Sequence, residues 1–266
     1  MAHEVTAERA PERICVYGGP KVGKTTLVTS LPWGSYWGEK AAYVAYDDNS
    51  ETLKSVLKHN KERLLVLKPD GDPTWMREAV GLARRDWRGE GCGTLIWDTM
   101  TATAQKILTE YANSGVFSEK HAVQVGDRKD GSWHTSPMEG DYGAAQNTLA
   151  LLHEHLWLQP INLIVIFHDD VAEPKSGSVD GLMGGPATVG KKAIRWIPAK
   201  YDTVLRMERI QTNPESQRVV VNTTQRGIWP AGVRGDDPNV KLPSQVTVDR
   251  DPKAFWDILV PSAKES

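Results

Sequence analysis

The chain has 266 residues, 39% hydrophobic and 25% charged, with a net charge of −2; this is enough to bury a full core, and it excludes a protein that coats nucleic acid by bulk charge. Its two cysteines, Cys15 and Cys92, lack C-x-x-C spacing, which excludes a disulfide framework or zinc site and points to a reducing, cytoplasmic setting. No apolar run approaches about 18 residues and the opening "MAHEVTAERAPER" has no apolar stretch, so neither a membrane span nor a secretion signal is expected.

After an N-terminal extension over 1–12, "ICVYG" (14–18) is rich in β-formers and leads into "GPKVGKTTL". There Gly18, four intervening residues and Gly23-Lys24-Thr25 form the G-x-x-x-x-G-K-[ST] pattern. Phosphates need several converging donors, and glycines let backbone N–H groups turn inward before a helix. Gly18, Gly19, Pro20, Lys21, Val22, Gly23, Lys24, Thr25 and Thr26 are the candidate phosphate-binding residues. "AAYVAY" (41–46) reads as a second strand, ending in Asp47-Asp48. Met76, Ala79, Val80, Ala83 and Trp87 recur at helical spacing over 73–87, and "TLIWD" (94–98) is a third strand.

Further along, 113–140 is long, polar and glycine-rich and is expected to be a loop. A helix follows over 141–158, with Asp141 as N-cap and Tyr142, Ala145, Leu149, Leu152 and Leu156 in one stripe. "INLIVIFH" (161–168) is the longest apolar run, as in a strand covered on both faces. The segment 169–190 again reads as a loop. "YDTVLRMERI" and "QRVVVNTT", joined by "QTNPES", suggest a hairpin adding antiparallel strands at a sheet end. The tail, 244–266, carries one short helix around "PKAFWDILV". Most of the ten tryptophans sit in apolar patterns and are expected to fill a core. Strands alternating with helices imply an α/β fold with a mainly parallel, twisted sheet.

The loop chemistry assigns Lys24 to the β- and γ-phosphates of ATP and the Thr25 hydroxyl to Mg²⁺. Asp98, at a strand end, suits the metal's water shell, or serves with Thr99 or Thr101 to cap the next helix. Asp47, Asp48 and Glu51 stand where ligands bind in open sheets; Asp48 is the choice for orienting attacking water, against a capping role. His168 is placed to touch a γ-phosphate or to cap its strand. The absence of N-K-x-D, of L-S-G-G-Q and of an acid directly after Asp98 argues against GTPases, transporter ATPases and D-E-box motors. An arginine-rich lid, as in small-molecule kinases, has only Arg84, Arg85 and Arg88 to offer, on a helix before the third strand.

The order "GGPKVGKTTL", "TLIWDTMT", "GDYGAAQNTLALLHEHLWLQPINLIVIFHDD" and "MGGPATVGKKAIRWIPAKYDTVLRMER" resembles a RecA-like P-loop ATPase core over about 14–210. It is most similar to phage-encoded ATPases of the AAA group associated with single-strand annealing and recombination. The resemblance implies an ATPase domain over 13–243, with Lys24, Asp48, Asp98 (the Walker B acid) and His168 (the γ-phosphate sensor) as its catalytic set. Thr25 and Asp98 would hold Mg²⁺. It implies a basic residue acting from a neighbouring subunit, Arg234 in preference to Arg226, and hence a ring or filament. It places single-stranded DNA against 113–140 and 169–190, with Lys120, Arg128, Lys129 and Lys175 as basic candidates and Trp133 as a stacking residue. A single-strand annealing protein is the implied partner, in the host cytoplasm.

Overall fold

The apolar runs become the strands of one sheet. The computed structural model describes residues 10–47, 60–114, 137–172, 183–190, 193–213, 216–233, 242–248 and 251–260, isolated positions from 54 to 58, and the backbone of 124–127 and 133–135. In chain order the first elements are β1 (Arg13–Gly18), α1 (Lys24–Thr29), β2 (Ala41–Ala45), β3 (Leu64–Leu67), α2 (Trp75–Arg84), β4 (Thr94–Asp98) and α3 (Met100–Ser114). The middle of the chain gives β5 (Gln124–Asp127), β6 (Trp133–Thr135), α4 (Glu139–Trp157), β7 (Asn162–Phe167), β8 (Asp169–Ala172) and β9 (Met183–Pro186). Last come α5 (Ala193–Lys200), β10 (Thr203–Asn213), β11 (Ser216–Asn222), β12 (Gly232–Val233), β13 (Gln245–Thr247) and α6 (Pro252–Leu259).

The main sheet runs β13-β11-β10-β1-β7-β4-β2-β3, with β12 beside β10. Every pairing from β10 to β3 is parallel. This is the expected α/β class with a mainly parallel sheet. One detail differs: β10 pairs parallel with β1, so within the main sheet the antiparallel pairings are those made by β11, β12 and β13. β3, an edge strand of four residues, was too short to stand out in the sequence.

Because strand side chains alternate between faces, each strand feeds two cores. Tyr17, Val44, Trp97, Val165 and Phe167 pack under α2, α3, α4 and α5. Val16, Tyr43, Ala45, Ile96, Ile166 and Met207 pack under α1 and α6. Trp37, Trp87, Trp97 and Trp256 are fully buried, as the apolar patterns suggested. The C-terminal helix is present, capped by Asp251, and its Trp256 indole N–H donates to the Leu27 carbonyl of α1 at 2.9 Å.

Several local expectations need correction. Asp141 is not the N-cap of α4: the helix begins at Glu139, and Asp141, fully buried, reaches back to accept the Met138 N–H at 2.8 Å. A carboxylate at the third helical position satisfies the N–H of the cap residue itself, the reciprocal half of a capping box. α2 spans Trp75–Arg84, with the Thr74 hydroxyl accepting the Arg77 N–H; Trp87 lies past its end, its indole donating to Leu82 O at 3.0 Å. The segments 113–140 and 169–190 are not wholly irregular. β5 pairs with β6, and β8 with β9, each antiparallel. The strand β9 reads Met-Gly-Gly-Pro, a composition that hides it, yet its glycines mark close packing. A Cβ on Gly184 would sit 2.3 Å from the Trp229 ring, and one on Gly185 2.8 Å from Ile194.

His153 of α4 sets a pH limit on stability. Its Nδ1–H donates to Leu149 O at 2.9 Å and its ring packs against Phe167, Trp196 and Tyr201. Burial, opposed by that hydrogen bond and aided by Lys200, lowers its pKa to about 4. Between pH about 6.5 and about 4 the unfolded chain therefore binds a proton that the folded chain refuses. Stability is expected to fall as the pH drops through that window, by up to about 3 kcal/mol. Urea midpoints at pH 7 and pH 4.5, for the native chain and His153→Phe, check this; equal pH dependence in both would rule it out.

Candidate functional site

The site forms at the carboxyl edge of the parallel strands. β1 ends at Gly18, opposite Met207 in the register with β10. Gly18 has φ 154°, and a Cβ there would lie 2.2 Å from the Met207 carbonyl oxygen. At the other end of the loop Gly23, with φ 96°, turns the chain into α1 through the left-handed region. Val22 is buried and anchors the loop from beneath, whereas Pro20, Lys21 and Thr26 are exposed. The Arg209 guanidinium on β10 donates to Lys21 O at 2.6 Å and ties the loop to the sheet.

Lys24 is only 6% exposed, which is unusual for an ammonium. It donates to the Gly18 and Gly19 carbonyls, both at 2.7 Å, and lies 3.5 Å from His168 Nδ1. Burial pulls its pKa down to about 8, against the pull of Asp98, Asp169 and Asp47 in the other direction. The group is thus a desolvated cation whose direct contacts among the described residues are neutral. A phosphate oxygen is the partner whose chemistry suits it.

Thr25 and Asp98 come together. The Thr25 hydroxyl donates to Asp98 Oδ2 at 2.7 Å, and the buried Tyr43 hydroxyl donates to the same oxygen. Burial pushes the Asp98 carboxyl up, while the Tyr43 and Thr25 hydrogen bonds hold it down. The donor set of a threonine hydroxyl and a carboxylate, both hard oxygen ligands, fits Mg²⁺. Capping of the following helix falls to Thr99, whose hydroxyl accepts the Ala102 N–H at 3.0 Å.

His168 follows β7 directly. Its N–H donates to the Thr101 hydroxyl at 2.9 Å, that hydroxyl donates to Ala187 O at 2.6 Å, and the Ala187 N–H returns to His168 O at 2.7 Å. Burial and the nearby Lys24 lower the His168 pKa and keep its ring neutral at pH 7. Asp47 lies beside these groups, its N–H 3.3 Å from Asp98 O.

Of the other candidates, Arg226 is more than half exposed and 3.8 Å from Glu208. Arg85 pairs with Glu90 at 2.5 Å. Asp48, Glu51, Arg234, Lys120, Arg128, Lys129 and Lys175 lie outside the described residues, as does the Trp133 side chain. The sequence does not single out Tyr43 or Arg209, and it offers Thr101 only as a helix cap, because each meets a partner distant in the chain. The available signal was parity: Tyr43 shares the α1 face of the sheet with Asp98.

Residues 10–234, most of the chain and the whole of this site, match the AAA domain family. The chain belongs to that family. This AAA-domain protein therefore carries a P-loop ATPase core, and the family implies use of a nucleotide, typically with Mg²⁺. No curated protein matches it. Solved structures similar to it include a KaiC-like protein from the hyperthermophilic archaeon Pyrococcus horikoshii OT3, at 12% identity and TM-score 0.43, covering 79% of this chain and 77% of that one. Another is the flagellar accessory protein FlaH from Methanocaldococcus jannaschii, at 10% identity and TM-score 0.47, covering 93% and 89%. Among the described residues no helix is long and apolar enough to cross a membrane.

Proposed function

We propose that this protein hydrolyses ATP with Mg²⁺ and couples turnover to single-stranded DNA in phage-type recombination or replication. The observation that carries the reading is the position of His168. Its ring lies 3.5 Å from Lys24 Nζ, and its backbone, through Thr101 and Ala187, holds the root of the β8–β9 hairpin. A change in what Lys24 contacts is felt at the base of the segment to which the family resemblance assigns DNA binding. That is the requirement for ligand-ordered loops.

In this reading Lys24, held beside the loop by the Gly18 and Gly19 carbonyls, meets the β- and γ-phosphates. Asp98 keeps the Thr25 hydroxyl oriented, and Asp48 orients water for in-line attack. His168, neutral, senses the γ-phosphate. Bound Mg²⁺ supplies charge neutralisation at the phosphate oxygens. A ring or filament brings Arg234 of one subunit to the site of the next, and a single-strand annealing protein is the partner in the host cytoplasm.

The test is phosphate release from Mg·ATP with and without single-stranded DNA at low salt, where phosphate contacts are strongest. A several-fold stimulation is expected. Turnover that ignores DNA would rule out the coupling, and ATP binding with negligible turnover would make the protein a nucleotide-dependent scaffold.

A further inference from the structure

Two hydroxyl groups converge on one carboxylate oxygen. Asp98 Oδ2 accepts from both Thr25 and Tyr43, whereas Oδ1 takes no hydrogen bond among the described residues. The parallel register explains the reach of Tyr43. On β2 it stands opposite Ile96 of β4, so Asp98 is the diagonal neighbour two residues on, on the same face. A long aromatic side chain spans that diagonal. Tyr43 is 3% exposed, and a phenol buried this far needs a partner.

We propose that Tyr43 is a positioning residue for the Thr25–Asp98 pair; the proposal rests on the reading of this loop as a Mg²⁺–nucleotide site. An ionised carboxylate only accepts, and a threonine hydroxyl has one proton and two lone pairs. With Tyr43 donating to Oδ2, that oxygen is fixed as an acceptor and the Thr25 hydroxyl must spend its proton there. The Thr25 lone pairs and Asp98 Oδ1 are left for a divalent cation and its water. Without the phenol the carboxylate is free to rotate, and Thr25 loses its fixed orientation. The order of control is Tyr43, then Asp98, then Thr25. Tyr43 itself touches neither nucleotide nor metal.

The experiment follows the fluorescence of a methylanthraniloyl-ATP probe, titrated with Mg²⁺, on the full chain. Tyr43→Phe keeps the packed ring and removes only the hydroxyl. It is expected to raise the Mg²⁺ concentration for half-maximal enhancement by about five- to tenfold, with probe affinity in EDTA unchanged. In an Asp98→Asn background the same substitution should add nothing, because its effect passes through that carboxylate. Superimposable Mg²⁺ curves for the native chain and Tyr43→Phe would overturn the proposal. An equal effect with and without Asp98 would overturn it too, since that is how a packing residue behaves. Failure of the underlying reading looks different: the native chain would bind the probe indifferently to Mg²⁺ and to Lys24→Ala.

Discussion

Lys24→Ala is expected to lower ATP turnover by at least about a hundredfold, the loss typical of removing one preorganised donor from developing charge. Lys24 is 6% exposed and held by two loop carbonyls, so its ammonium is already in place before a phosphate arrives. Alanine leaves the Gly18 and Gly19 carbonyls pointing at the space a phosphate would enter, with no cation between them. Steady-state phosphate release by Lys24→Ala, beside Lys253→Ala as an exposed-lysine control, checks this. The control should stay within about twofold of the native rate. Native turnover in Lys24→Ala would show that hydrolysis happens elsewhere.

The second large effect is structural. Gly18→Ala places a methyl group 2.2 Å from the Met207 carbonyl oxygen, at φ 154°. The two atoms it meets first, the Met207 carbonyl oxygen and carbon, are backbone, and neither can swing aside as a side chain would. Either β1 and β10 part at the Gly18–Met207 register, or the phosphate loop is displaced. The expected destabilisation is about 3 kcal/mol from strain and overpacking together, which lowers the Tm by roughly 10 °C, with loss of ATP binding. Gly81→Ala is the contrast. That position lies inside α2 with no atom within 4 Å of the added Cβ, and helix propensity there favours alanine by about 1 kcal/mol. Melting curves of the two variants should move in opposite directions. A Gly18→Ala Tm equal to the native value would mean that the loop takes another path.

Much of this architecture was legible because burial on both faces leaves a mark in sequence. "TLIWD" and "INLIVIF" could be read as strands since nearly every residue in them is covered. Strands without that pattern escaped. β9 is Met-Gly-Gly-Pro, β3 is a four-residue edge, and β8 opens on two aspartates, so none carries the long apolar run of a strand covered on both faces. The sequence puts the cap at Asp141, three residues away from the true cap, Met138, because a carboxylate can serve a helix start either from the cap position or from within the first turn.

The site divides in the same way. The spacing of Gly18, Gly23, Lys24 and Thr25 determined a phosphate loop by itself, because the chemistry needs those groups within one turn of chain. Asp98 and His168 were nameable because one closes and the other directly follows a strand that ends at the loop's edge of the sheet. The roles of Tyr43, Thr101 and Arg209 were decided only by tertiary structure. Each reaches a partner far away in the chain, to Asp98, to His168 and Ala187, and to Lys21. A linear sequence records which side chains can donate a hydrogen bond. Strand order and register, set by the packing of the whole sheet, choose the acceptor that each one meets.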